Sequence, residues 1–263
     1  MKQKDAPISA GLANLIQANE HLWGGEAEII ASYWESPTRN PETDKKWLVH
    51  QIYKEYWHGI LPSLDEFTQQ LPHTRAQSER SSLLETAGVL HDETRHFSLL
   101  TGLFRDLEGV DFGLSAHELK ERGRWREDDE LMNLRKQHRV ESAALGQRAY
   151  RFTEGGYCAL FREGMRRKGC GAFDDALAEV CRRIYEDEFN HMVLGIIGAD
   201  DALMSQSDWD TLIRFTTEQM KLRMGMRNAQ FSHPVSDDRL DELRAGRGAP
   251  VRFDIERATK LMR

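Results

Sequence analysis

The sequence is short of the residues that would staple it, break it up or carry it through a bilayer. Three cysteines, Cys158, Cys170 and Cys181, occur in 263 residues. They form no CxxC pair and no disulfide framework, which excludes a cysteine-based zinc site and suits a reducing cytosol. Seven prolines and a scarcity of alternating apolar and polar positions exclude a loop-rich or all-β chain. No apolar run approaches the roughly 18 residues that span a membrane. The first residues, "MKQKDAPISAGLANLIQANEHLWGG", lack an apolar h-region and a small-residue cleavage site, so no secretory signal is expected. A formal charge of −7 argues against a general nucleic-acid binder. No P-loop, no GxGxxG opening a helix after a strand and no Ser-His-Asp signature is present. These absences leave a cytoplasmic, all-α enzyme as the expectation.

Apolar spacings of three and four recur through the chain. They predict short helices over 8–22 and 24–35, ended by Pro37 and Pro41. Four long helical segments follow at about 43–70, 76–108, 130–168 and 173–199, with Pro62 interrupting the first. "LPHT" at 71–74 and "KGCG" at 168–171 are the stop signals, Gly169 and Gly171 suiting a left-handed closing turn. Residues 109–129 read as a long crossover, 207–230 as one more helix, and 233–263 as an extended, charged tail. Two hairpins joined by a crossover describe a four-helix bundle with additional N- and C-terminal helices. The expected domain is residues 1–232, with its core helices at about 43–199.

Two stretches carry chemistry: "HDETRHFSLL" (91–100) and "YEDEFNHMVL" (185–194). Each contains Asp-Glu-x-x-His, as Asp92, Glu93 and His96, then Asp187, Glu188 and His191. Positions three and four apart share a helix face. Thr86, Val89, Leu90, Phe97 and Leu100 therefore flank Glu93, and Cys181, Ile184, Tyr185, Met192 and Gly195 flank Glu188. Acids and imidazoles on an apolar face need a counter-charge, and metal ions use both groups at once. In an antiparallel hairpin, residues equally far from the turn share a height. Counting 17 residues from the "KGCG" turn, Glu188 meets Glu154. Counting 19 or 20 from the "LPHT" turn, Glu93 meets Glu55 or its neighbour. The separations, 38 and 34 residues, are similar in the two halves.

Glu, then Glu-x-x-His, repeated on four helices, resembles the ferritin-like di-iron carboxylate superfamily. That resemblance covers residues 55–191 and implies a ferritin-like four-helix bundle. It also implies two iron ions, as Fe/Fe or Mn/Fe. Glu55, Glu93 and His96 would hold one ion, and Glu154, Glu188 and His191 the other, with Glu93 and Glu188 bridging. Asp92 and Asp187 would orient ligand histidines. The implied activity is dioxygen-dependent oxidation of a small organic molecule: hydroxylation, N-oxygenation, desaturation or oxidative cleavage. No flavin or iron–sulfur signature is present, so electrons would come from a separate donor or from the substrate. A ferroxidase or iron-handling role and a rubrerythrin-like peroxidase are the alternatives, and homodimer and monomer both stay open.

Glu28, Glu66 and Glu85 compete with Glu55 as the first-helix acid. His58 makes a third Glu-x-x-His with Glu55 but reads as an aromatic neighbour, and His91, about 200° around the helix from Glu93, as a surface group. Tyr150, Tyr157, Cys158 and Tyr185 would line a pocket or simply fill the core. The basic runs "RGRWRED" and "FREGMRRKG" read as solvated helix ends or as a dock for an acidic reductase. Trp23, Tyr33, Trp34, Trp47, Tyr53, Tyr56 and Trp57 are expected to pack the N-terminal helices.

Overall fold

The computed structural model describes residues 8–154 and 156–261. The all-α expectation is met: helices carry the described residues, with no strand among them. Contacts divide the chain into two compact units. The first comprises the N-terminal segment through Pro37, then Arg126–Arg166, then Cys181 onward. The second comprises Thr38–Trp125 and Arg167–Val180.

In the first unit, α1 (Ala10–Trp34) starts at Ser9, whose hydroxyl accepts the Leu12 amide at 3.1 Å. It runs unbroken through Gly24–Gly25, where the sequence suggests a boundary. A Cβ on Gly24 would lie 1.7 Å from the Ala249 carbonyl oxygen. That glycine allows close backbone approach, and the helix ladder tolerates it.

The segment expected as one rod over 130–168 is three helices: α6 (Arg126–Glu141), α7 (Ala143–Glu154) and α8 (Ala159–Met165). Between α7 and α8 the backbone is left-handed at Gly156, Tyr157 and Cys158, with φ of 51°, 54° and 52°. Side-chain direction is therefore reset across the break, and residues before and after it do not share one face.

The 207–230 helix forms as read, as α10 (Gln206–Gln230), lying along α1, α6 and α7. Leu12, Leu15, Trp23, Phe152, Phe215 and Met224 meet in the core. The C-terminal segment is not extended throughout. It forms α11 (Asp237–Arg244) and α12 (Ile255–Leu261). Leu240, Leu243, Phe253 and Ala258 are buried in the same core, and the Val251 amide donates to the Glu20 carbonyl at 2.9 Å. Burial of those few apolar side chains offsets the ordering cost of a charged segment.

The second unit begins with α2 (Pro41–Lys54). Asn40 caps it by accepting the Glu42 and Thr43 amides at 3.0 and 3.1 Å, while Pro41 fills the first turn, where no amide is needed. α2 continues into a wide π turn, Glu55–Ile60, and then α3 (Leu61–Gln70). The Leu61 amide reaches back to the Tyr56 carbonyl. Pro62, which has no amide to donate, accompanies this local widening. α4 (Gln77–Glu108) returns alongside α3, the π turn and α2, ending at left-handed Gly109 with φ 71°. The crossover carries α5 (Ala116–Gly123), which packs on α2. Trp47, Leu48, Ile52, Leu100 and Leu103 are buried here.

α9 (Ala172–Ile197) supplies its first residues to the second unit and the remainder to the first. Gly169 and Gly171 ahead of it have φ of 90° and 135°, as the turn requires. Asp174 closes the second unit electrostatically, accepting from Arg39 Nη2 at 2.6 Å and from Arg167 Nη2 at 2.9 Å. The aromatic residues fall into two sets. Trp23, Tyr33 and Trp34 pack with Phe152 and Phe231 in the first unit, while Tyr53 and Tyr56 pack around Trp57 in the second. No described helix is long and apolar enough to cross a membrane.

Candidate metal centre

The π turn and α4 bring Glu55, Glu93 and His96 together in the second unit. Each offers a ligand atom lying within 4.8 Å of the other two. Glu55 is buried at 6% exposure and His96 is fully buried. Glu55 stands where α2 widens, and Gln51, one turn earlier, donates Nε2–H to its Oε1 at 2.7 Å. Its other oxygen lies 3.8 Å from His96 Nδ1. Burial pushes the Glu55 carboxyl upward, but His96 and Gln51 more than offset it, so the group is held below the ordinary carboxylate range. A buried, ionised acid beside an imidazole and a second carboxylate is a cation-binding arrangement.

Glu93 is half-buried, on a face that is less apolar in effect than its sequence, since Val89 beside it is exposed. Gly59 makes its position available. A Cβ on that residue would lie 2.1 Å from Glu93 Oε2 and 2.8 Å from its Cδ. Neither Gln51 nor Gly59 was legible as part of a site, although both lie four residues from Glu55, on its helix face. Among the competing acids, Glu66 and Glu85 are exposed, and Glu28 is gripped by Arg239 at 2.7 and 2.9 Å. Glu55 is the buried one. His58 is half-buried edge-on to Tyr53, with ring centroids 5.5 Å apart, and His91 is exposed.

The second motif lies on α9 in the first unit. Cys181, Ile184, Met192 and Gly195 are buried around it, while Glu188 and His191 are half-buried. Asp92 and Asp187 are half-buried too. Glu154 stands apart from the expectation. Its side chain is exposed at the end of α7, accepts from Tyr150 Oη at 2.7 Å, and joins no group of three candidate ligands among the described residues. The register that paired it with Glu188 treats 130–168 as one straight rod, and the left-handed break removes that premise.

The pocket candidates beyond Glu154 do gather. Cys158 is buried, and its thiol is pushed well up by burial and then by the Glu188 charge. Tyr185 is likewise raised, chiefly by burial. Tyr157 stacks on Trp23 with centroids 5.2 Å apart, and its hydroxyl accepts the Asp254 amide at 3.2 Å. In the basic runs, Arg162 and Arg166 are paired with Glu163, and Arg167 with Asp174. Comparison with known proteins returns no matching family model, no similar curated protein and no similar solved structure.

Proposed function

We propose that this chain is a cytoplasmic non-haem di-iron oxygenase or oxidase of ferritin-like type, acting on a small organic substrate. The observation that carries the reading is the buried meeting of Glu55, Glu93 and His96. Two carboxylates and an imidazole form a donor set suited to iron or manganese rather than to thiophilic ions. Glu55, Glu93 and His96 would hold one ion. The repeated Asp-Glu-x-x-His motif assigns Glu188 and His191 to the other. Bound iron supplies dioxygen activation and the oxidising power.

The chain's own residues supply placement. Gln51 fixes the Glu55 carboxylate by donating to one oxygen, leaving the other toward His96. Gly59 leaves room for Glu93, and the full burial of His96 excludes bulk water from its ring. Such supporting contacts set ligand orientation and affinity.

Metal analysis after anaerobic loading tests the reading. About two irons per chain and an optical change on exposure of the reduced protein to dioxygen are expected for a dinuclear carboxylate centre. Well under one iron per chain, with no optical change, overturns it.

A further inference from the structure

The interior of the first unit holds an imbalance of charge that the metal reading does not use. Glu26 on α1 is fully buried, and it accepts from Arg223 Nε at 2.9 Å to both oxygens and from Arg227 Nε at 2.9 Å. Burial pushes the Glu26 carboxyl up, but the two guanidinium groups outweigh it and hold it below its ordinary value. Asp128 and Arg135 on α6 are buried beside this cluster, at 1% and 4% exposure. Three buried arginines, Arg135, Arg223 and Arg227, thus face two buried acids, Glu26 and Asp128. Counting the buried groups alone, one positive charge is left over; the exposed Glu154 carboxylate, which also acts on Arg135, lies at the edge of the cluster.

The excess falls on Arg135. Its Nη2 donates to Thr153 Oγ1 at 3.2 Å, its Nη1 approaches Met132 Sδ at 3.7 Å, and its Nε has no hydrogen-bond partner. No carboxylate among the described residues forms an ion pair with it. The guanidinium plane lies over the Tyr150 ring, 4.7 Å from its centroid. Thr153 is fixed in turn by Gln219, whose Oε1 accepts from it at 2.6 Å, and Gln219 is itself fully buried. A buried guanidinium held in place on one edge and unsatisfied at Nε is costly unless an anion completes it.

A second feature lies against the same cluster. Arg223 Nη1 donates to the Glu154 carbonyl at 2.7 Å, just ahead of the left-handed residues 156–158. A Cβ on Gly156 would lie 2.1 Å from Glu26 Oε2 and 2.5 Å from Arg223 Nε. Non-glycine residues held in the left-handed region, as Tyr157 and Cys158 are, cost free energy and concentrate where ligands bind.

We propose that Arg135 anchors a binding site for a small monocarboxylate, enclosed by α6, α7 and α10 of the first unit. One surplus charge matches a monoanion. The guanidinium fork matches a carboxylate through its Nε edge, and Met132 offers an apolar sulfur to the rest of the molecule. This site lies outside the Glu55–Glu93–His96 cluster and needs no metal.

The experiment uses the full-length, metal-free chain, so its outcome is separate from that of iron loading. Sodium acetate, sodium hexanoate and inorganic phosphate are titrated calorimetrically into the native protein, Arg135→Met and Arg135→Lys, with thermal melts of each. The native chain should bind at least one carboxylate saturably and more tightly than phosphate. Both variants should weaken that binding at least tenfold. Arg135→Met, relieved of an uncompensated buried charge, should melt higher than the native chain without ligand, whereas removing a merely structural arginine lowers the melting temperature. If Arg135→Met does not fold, Arg135→Lys keeps the charge without the fork and carries the binding test alone. No saturable carboxylate binding to the native chain, undiminished binding in the variants, or tighter binding of phosphate overturns the assignment.

Discussion

Gly59→Ala separates the metal site from the fold, because its effects on the two have opposite signs. An alanine methyl would fall 2.1 Å from Glu93 Oε2, against an ordinary contact beginning near 3.4 Å. The carboxylate must therefore withdraw by 3.4 − 2.1 = 1.3 Å, or Glu93 must adopt another rotamer. Metal–ligand distances tolerate only about 0.2 Å, so Glu93 is lost or weakened as a donor. Iron affinity should fall about 10–100-fold, the range seen when ligand orientation is disturbed, or about 1.4–2.7 kcal/mol. The metal-free fold should not suffer. Gly59 has no positive φ, and alanine for glycine in a helix interior stabilises by roughly 0.5–1 kcal/mol. The assay is anaerobic ferrous titration against a competing chelator, paired with a thermal melt of the metal-free protein by circular dichroism. Iron binding within threefold of the native chain would refute the reasoning. So would a metal-free melting temperature lowered by more than about 3 °C, which would mark Gly59 as a packing residue.

Three further perturbations test the surrounding argument. Glu26→Gln leaves Arg223 and Arg227 buried without their carboxylate and should cost about 3–5 kcal/mol; thermal melts at pH 7 should fall by several degrees, and a shift under about 2 °C would contradict it. Asp174→Asn tests the Arg39–Asp174–Arg167 contact. Burial raises the Asp174 carboxyl, but hydrogen bonds from the two arginines lower it overall, below the ordinary 3.8. A depressed acid contributes stability above its unfolded value and loses it as pH falls through the folded one, so urea midpoints of native and variant should differ at pH 7 and converge as the pH falls below the ordinary carboxylate range. A gap that stays constant over that range would sink the assignment. Glu154→Gln, at an exposed carboxylate bonded to Tyr150, should leave iron content unchanged, and loss of an ion per chain would restore Glu154 to the ligand set.

Local periodicity was enough to place α4 and α9 and to put both Asp-Glu-x-x-His motifs on them. Counting back from the "LPHT" turn reached Glu55 because the chain from Pro41 to Gln70 stays helical, the π turn shifting the register without breaking it. The same counting from "KGCG" reached Glu154 across residues 156–158, where the backbone is left-handed, and the Glu154 side chain is exposed there. The expected break between helices at 8–22 and 24–35 is absent, and α1 runs on through Gly24 and Gly25. Conformational preference alone disfavours glycine in a helix, whereas the close Ala249 carbonyl requires it. Tertiary approach of this kind has no periodicity and leaves no mark on a single sequence. The C-terminal segment was hidden by its charge: four separated apolar residues, Leu240, Leu243, Phe253 and Ala258, bury it without any continuous stripe.

The buried polar groups of each unit share one physical signature with opposite sign. In the second unit, Glu55 and Glu93 lie within 4.8 Å of one another with His96 alongside, and both acids can remain ionised together only if a cation offsets their repulsion. In the first, Arg135 is a buried cation with no ion-paired carboxylate among the described residues, its Nε without a hydrogen-bond partner. Neither arrangement improves the stability of an empty protein, since well-packed apolar side chains of similar volume would serve as well or better. Charge left unbalanced in an interior is accounted for when a ligand completes it, because binding then returns the free energy that folding alone gives up. The argument therefore predicts a paired outcome. Replacing Glu55 or Arg135 with an apolar residue of similar size should hold or raise the melting temperature of the empty chain, and should abolish the further rise produced by ferrous iron in the first case and by a monocarboxylate in the second. A variant that both melts lower when empty and keeps its ligand-induced rise would show that the side chain serves packing, and the ligand it was assigned would have to bind elsewhere.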